Sequence, residues 1–320
     1  MKVSVALVTY NNELFIAQAI VSVLAQKTKF DVELIIGEDS STDRTREIAL
    51  NYQVRFPGKI RVLPNEKHLG MHRNLARTLA ACDGQYVALL EGDDHWTSPR
   101  KLQRQAEFLD SNLDCSLCFH PVNWFYEDGY IGDDRPERKT EWPHEHRGDS
   151  TIEDLLKEMF IHTASVVFRN GLIGEYPEWL FELKMADWPL YLLIANHGKI
   201  GCVDEVMSAY RNHPGGAWFA IEDEMRWRQV IRMYELLDAH FEYRYAATIR
   251  PLLAHYHLKL GALYDETAVR DRALPAIARS VAGELQSGNI PTLNLLKMLA
   301  RVSFPSVYRL SKRVRKTFAH

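Results

Sequence analysis

Tyr86-Val87-Ala88-Leu89-Leu90-Glu91-Gly92-Asp93-Asp94 is the stretch on which the fold turns. A short, β-prone apolar run ends abruptly in three acids around one glycine. Such a run, apolar at every position, is the signature of a strand buried on both faces. Acids at its carboxyl end sit where an open α/β sheet binds its ligands. Asp93 and Asp94 are adjacent carboxylates that repel unless something positive lies near them. A divalent ion held by one or two carboxylates and substrate phosphates would relieve them. A capping cluster before the next helix, which Ser98-Pro99 opens, would use the same residues.

The pattern repeats on either side. Val3–Tyr10 reads as a first buried strand, and Leu14–Ala25 carries apolar residues at helical spacing. Val32–Gly37 is a second strand, and Glu38–Asp43 is a turn that opens a helix through Asp43 or a neighbour as N-cap. Ile60–Leu63 is a third strand, followed by a helix from Met71 to Ala81. Ser98-Pro99 starts another that runs to Leu109. This βαβαβαβα order predicts a mostly parallel sheet with helices on both faces. The polar clusters all fall at the strands' carboxyl ends.

Beyond it the signals mix. Ser116–Phe119, Val122–Tyr126, Ser165–Phe168 and Ile200–Tyr210 read as strands, and Asp187–Ala195 as a short helix. Ser150-Thr151-Ile152-Glu153 has the form of a capping box for a helix to Met159. Glu127–Asp149 is a long charged loop, of a length often used for lids and acceptor loops. From Ile221 onward helical periodicity replaces strand signals. The domain reading is therefore 1–220, an α/β domain, and 221–320, a helical accessory region. Val307, Leu310, Val314 and Phe318 would share one face of a terminal helix that also carries Arg309, Lys312, Arg313, Arg315 and Lys316. Such a helix fits an anionic membrane surface or, equally, packing against the domain with a solvated basic face.

Composition narrows the classes. With 320 residues, 46% hydrophobic, the chain has material for a real core. The net charge of −3 conceals a split: residues 1–220 carry 23 Lys and Arg against 32 Asp and Glu, or −9, and 221–320 carry 16 against 10, or +6. Neither the total nor the first part suits nucleic acid. Cys115 and Cys118 read as small hydrophobes of a buried strand, and no second ligand pair makes a zinc site with them. No leader or spanning segment is read, so the cytoplasm is the expected compartment, with the inner face of its membrane open to the basic end. Dinucleotide-binding, P-loop, zincin and nucleophile-elbow motifs are all missing.

Six segments, taken in order, resemble the motifs of glycosyltransferase family 2. They are Ser4–Asn11 with Ala19–Gln26, Glu33–Thr45, Asn65–Asn74, Glu91–Trp96, Asp187–Leu190 and Tyr210–Gly216. The resemblance covers residues 1–218 and implies a GT-A fold, that of nucleotide-diphospho-sugar transferases, with the helical region appended. It implies that Thr9, Tyr10, Asp39, Arg73, Asn74, Asp93 and Arg211 line the nucleotide-sugar site. Tyr10 would lie on the base, and Asp39 would accept a uracil N–H. Asp93, Asp94 and His213 would hold Mn²⁺ or Mg²⁺ on the diphosphate, and Asp187 would be the general base. Trp96 and Trp188 would wall the acceptor side.

Three positions depart from the family pattern. Glu91 replaces the usual first Asp of D-x-D, Ala186 stands where an acid often precedes the base, and Asp223 replaces the Gln of the processive Q-x-x-R-W. The implied activity is metal-dependent, inverting transfer of one sugar from a UDP-sugar or related donor to a glycan or lipid-linked glycan. Bacterial surface polysaccharide assembly is the implied setting. The alternatives are a non-catalytic binding module on the same fold and a sugar-1-phosphate nucleotidyltransferase. The second would want a Gly- and Arg-bearing loop where Tyr10-Asn11-Asn12-Glu13 stands.

Overall fold

A computed structural model describes residues 2–126, 138–141, 150–213, 222–267, 270–288 and 293–303. The chain separates into two compact units, Met1–Ala220 and Ile221–His320. The predicted loop Glu127–Asp149 and the basic stretch after Ser303 lie largely or wholly outside the described residues.

In the first unit, β1 (Val3–Thr9), β2 (Val32–Glu38), β3 (Ile60–Pro64) and β4 (Tyr86–Glu91) run parallel, joined by α1 (Ile16–Leu24), α2 (Thr45–Arg55) and α3 (Met71–Ala80). There follow β5 (His95–Trp96), α4 (Lys101–Ser111), β6 (Cys115–Phe119), β7 (Val122–Tyr126), β8 (Arg138–Glu141), α5 (Ile152–Lys157) and β9 (Val167–Arg169). Then come α6 (Asp187–Ala195), β10 (Lys199–Cys202) and β11 (Ser208–Asn212). A seven-stranded sheet has the order β10-β6-β9-β4-β1-β2-β3, with β9 antiparallel to both neighbours. A second sheet, β5-β11-β7-β8, has four strands. Val3, Val5 and Leu7 pack with Ile16, Ile20 and Val23 of α1 and with Leu102, Ala106 and Leu109 of α4. Register sets Thr9 beside Glu38, Glu38 beside Pro64 and Val8 beside Glu91, so four strand ends share one edge.

Several boundaries differ from the sequence reading. The single strand expected over Ile200–Tyr210 is two strands in different sheets, because β10 stays beside β6 and the chain then crosses to β7. Ser150 is not the cap of α5, since its N–H and C=O are both taken by Ile200. Thr151 and Asp154 form the capping box one residue later. The helix after Ser98-Pro99 starts at Lys101. Cys115 and Cys118 lie buried on β6 as expected, and no disulfide forms.

The second unit, described by itself, consists of α7 (Asp223–His240), α8 (Ala246–Glu266), α9 (Arg270–Gln286) and α10 (Leu293–Ser303). Ile231, Leu260, Tyr264, Ala273, Ile277 and Leu295 form its core. Gly261 lets α8 meet α9 closely, since a Cβ there would lie 2.5 Å from Ile277 Cγ1. The Tyr264 hydroxyl donates to Glu224 (2.8 Å) and accepts from Arg228 (2.8 Å).

One core residue of the first unit is a lysine. Lys101 is fully buried, its ammonium 4.4 Å from the Trp96 ring and bonded to Gln105 Oε1 at 2.7 Å. Burial holds its amine down to about 7, against 10.5 for a free lysine. Between those values the unfolded chain binds the extra proton, so folding stability should rise with pH from 7 to 10. The ceiling on this effect is about 5 kcal/mol. Lys101→Met should be the more stable protein at pH 7 and should flatten that rise. Parallel pH profiles in urea denaturation would contradict the assignment.

Candidate functional site

The ends of β1 and β2 are zipped by side chains onto main chain. Asn11 and Ser40 sit in the left-handed region, at φ 53° and 62°. Asn11 Oδ1 accepts Thr42 N–H (2.8 Å), and Ser41 Oγ accepts Asn11 N–H (3.0 Å). Asn and Ser tolerate such turns because short polar side chains bond the nearby backbone. Thr9 is buried, its hydroxyl 3.1 Å from Asn12 Oδ1. The acidic turn rests on it: a Cβ on Gly92 would lie 2.4 Å from Thr9 Oγ1. Thr9 is thus the seat of that turn.

Asp39 is buried and heavily engaged. Its Oδ1 accepts from Asn65 Nδ2 (2.7 Å) and Leu69 N (2.8 Å), while Oδ2 accepts from Gly70 N (2.8 Å) and lies 3.0 Å from His68 Nδ1. A carboxylate has about four acceptor positions, and three of those of Asp39 take hydrogen bonds from the 65–70 loop. That loop brings the His68 ring against Tyr10, centroids 4.3 Å apart, and Tyr10 is 42% exposed. Asn74 is buried too, bonding Gly37 O at 2.8 Å, which makes it a brace between α3 and β2. Arg73 is exposed, with its guanidinium 4.3 Å from the Phe181 ring.

The acidic turn is organised by Arg211 on β11. Asp94 is buried, and its Oδ1 accepts Arg211 N–H at 2.8 Å. Arg211 Nε bonds Asp93 O (2.7 Å), and Nη2 bonds Gln18 Oε1 (2.7 Å). The guanidinium lies 4.4 Å from the Phe15 ring and 4.6 Å from Phe125. Arg211 is therefore a buried clamp. Asp94 Oδ2 is enclosed without a hydrogen-bond partner. Asp93 keeps a quarter of its side chain exposed (25%), with Oδ2 3.0 Å from His213 Nε2. Burial first, and then the charges of Asp93, Asp94 and Asp187, push the Glu91 carboxyl well up. Burial and Asp93 do the same to Asp94, against the Arg211 N–H.

Asp187 opens α6, half-buried, and its Oδ1 accepts Trp188 N–H at 2.8 Å. Burial pushes its carboxyl up, partly offset by that N–H and by His162. Burial first, and then the charges of Glu91, Asp94, Asp93 and Asp187, raise the Tyr210 hydroxyl, which puts that ring and both acidic centres in one electrostatic neighbourhood. Sequence reasoning passed over Tyr210, His162, Phe15 and Gln18. It also misplaced the two tryptophans. Trp188 is 8% exposed with its indole N–H on Leu155 O, and Trp96 is 5% exposed with its own on Ala164 O. Both are core residues and wall no acceptor site. Pro214–Gly216 of the last motif lies outside the described residues.

The profile of glycosyl transferase family 2 matches residues 4–175, and the chain belongs to that family. An uncharacterized protein of Mycobacterium tuberculosis (strain ATCC 25618 / H37Rv) is 37% identical over 223 residues, 70% of this chain and 62% of the relative. The match thus spans less than two thirds of that relative. The S. aureus TarS 1-349 structure in complex with UDP superposes with a TM-score of 0.63 at 18% identity, over 99% of this chain and 92% of that one. Mannosyltransferase PcManGT from Pyrobaculum calidifontis, in complex with GDP-Man and Mn2+, gives 0.57 at 16%, over 97% and 82%. At these identities the likeness is one of fold. The α/β unit with its helical extension is of GT-A type.

The clamp can be tested apart from any activity. Arg211→Lys keeps the charge but cannot reproduce the planar fork or its stacking between two rings. It should cost about 1–3 kcal/mol in urea denaturation, and an unchanged midpoint would show that Arg211 is not the clamp.

Proposed function

We propose that the protein is a glycosyltransferase that moves one sugar, with inversion, from a nucleoside-diphosphate sugar to a hydroxyl of a glycan or lipid-linked glycan. One observation carries the reading. A half-buried carboxylate, Asp187, shares an electrostatic neighbourhood with the acidic turn Glu91–Asp94 at the carboxyl ends of the sheet. That is the pairing such a reaction uses, a base on one side and a diphosphate anchor on the other. Family membership supports it.

The donor's base would lie on the exposed ring of Tyr10. Asp39 would act by fixing the loop that carries His68. Uracil is the base we favour.

The residues present fit a divalent ion. Asp93 stands open beside His213, and the enclosed, partnerless oxygen of Asp94 reflects a surplus of negative charge in the turn. Among the described residues no three potential ligands converge. That suits Mg²⁺ or Mn²⁺, which take one or two protein ligands and complete their shell from phosphate and water. Asp93 and His213 would hold the ion, and Asp94 would anchor the turn through Arg211. When bound, the ion neutralises charge on the departing diphosphate.

Asp187 takes the proton of the acceptor hydroxyl as that oxygen bonds to the anomeric carbon and the bond to the diphosphate breaks. Its raised pKa brings it nearer the working pH, which favours a general base.

A thermal-shift panel of UDP, GDP and dTDP with and without Mn²⁺ should give a larger shift for UDP, dependent on Mn²⁺. Asp93→Asn should lose the Mn²⁺ dependence. Asp187→Asn should keep the donor shift and lose transfer by about 10²- to 10⁴-fold. Full transfer in Asp187→Asn, or equal UDP shifts with and without chelator, would overturn the respective role.

A further inference from the structure

Three aromatic side chains meet at the small sheet, within electrostatic reach of Asp187. Trp124 on β7 and Tyr210 on β11 are direct partners across parallel strands, so both rings project from the same face, centroids 5.0 Å apart. His162, just before the 3-10 turn Thr163–Ser165, lies 5.3 Å from each of them. An indole N–H can only donate. Trp124 Nε1 lies 3.4 Å from His162 Nε2, so the indole N–H is directed at the imidazole. All three residues are half-buried. Trp96 and Trp188 differ on both counts, being closed into the core with their N–H groups on main-chain carbonyls.

We propose that Trp124, His162 and Tyr210 form the subsite that holds the acceptor's sugar ring, its C–H face on the indole and its reacting hydroxyl toward Asp187. The proposal rests on the reading of Asp187 as the base. Position supports it, because Tyr210, packed with Trp124 and His162, lies within the electrostatic reach of Asp187. Charge supports it as well. Four carboxylates act on the Tyr210 hydroxyl, a field that disfavours a phosphate or carboxylate ligand and tolerates a neutral polyol. Burial and those charges push the phenol well up, so it stays protonated and can donate to a sugar oxygen. Half-exposed rings with polar tips give apolar area and hydrogen bonds together. That combination matches a pyranose, which is apolar on its C–H face and polar at its rim.

The test uses the full chain with UDP and Mn²⁺ and four soluble probes: methyl β-D-glucopyranoside, methyl β-D-galactopyranoside and their 2-acetamido-2-deoxy analogues. Saturation-transfer NMR on the wild type should mark the ring C–H protons of at least one probe. Trp124→Ala and His162→Ala should weaken binding of that probe about tenfold, the usual loss for an aromatic anchor. Trp124→Phe, which keeps a ring, should retain most of it. The UDP thermal shift of Trp124→Ala should match wild type, which separates loss of the subsite from loss of the fold. Equal signals in wild type and Trp124→Ala, or no signal from any probe with the wild type, would overturn the subsite. Failure of UDP to shift the wild type would sink the donor reading alone, because glycoside binding is read separately.

Discussion

The contact between Asp94 and Arg211 is the one on which the site depends. It lies where the two sheets meet, because Asp94 links β4 of the large sheet to β5 of the small one and bonds Arg211 on β11, the strand paired with β5. A buried carboxylate is costly unless donors satisfy it. Here a strand N–H serves one oxygen, and the guanidinium of the same residue reaches the neighbouring carbonyl of Asp93 and Gln18 of α1. The guanidinium is held in turn by two aromatic rings, Phe15 and Phe125. Asp93 is thereby left as the carboxylate that faces outward.

A similar division occurs at Asp39. Read as a motif, it is a ligand for a base. Read as a structure, it is a hub with four neighbours on one loop, and what reaches solvent is the packed pair of Tyr10 and His68. The polar residues at the ends of β1 and β2 hold left-handed backbone in place, as Asn11 and Ser41 do through their side-chain oxygens.

This explains which parts of the molecule were legible. The strands β1, β2, β3 and β4 were readable because a strand buried on both faces is a short unbroken apolar run, and each ends in a polar cluster. Of the second sheet only β7 was read at its bounds, Val122–Tyr126. β5 is two residues long, and β8 lies in the charged segment Arg138–Glu141. The pairing of β7 with β11 brings together residues 86 positions apart, such as Trp124 and Tyr210. Local periodicity carries no trace of such a contact. The acids of the turn Glu91–Asp94 stood out because carboxylates at strand ends are conspicuous. The tryptophans misled because a large aromatic ring looks the same in sequence whether it faces a cleft or the core, as with Trp96 and Trp188, or stands half-open, as with Trp124.

Strand geometry then accounts for how one short strand can serve both the acidic turn and the aromatic cluster. Successive residues on a strand point to opposite faces. Arg211 goes to one side with its register partner Phe125, and locks the acidic turn against α1. Tyr210 goes to the other with its partner Trp124, beside His162. A shift of β11 by one residue against β7 would exchange the two faces and put the cation where the rings are. The register of β11 on β7 therefore ties the clamp of the acidic turn to the aromatic cluster of Trp124, His162 and Tyr210, so neither can be moved without moving the other.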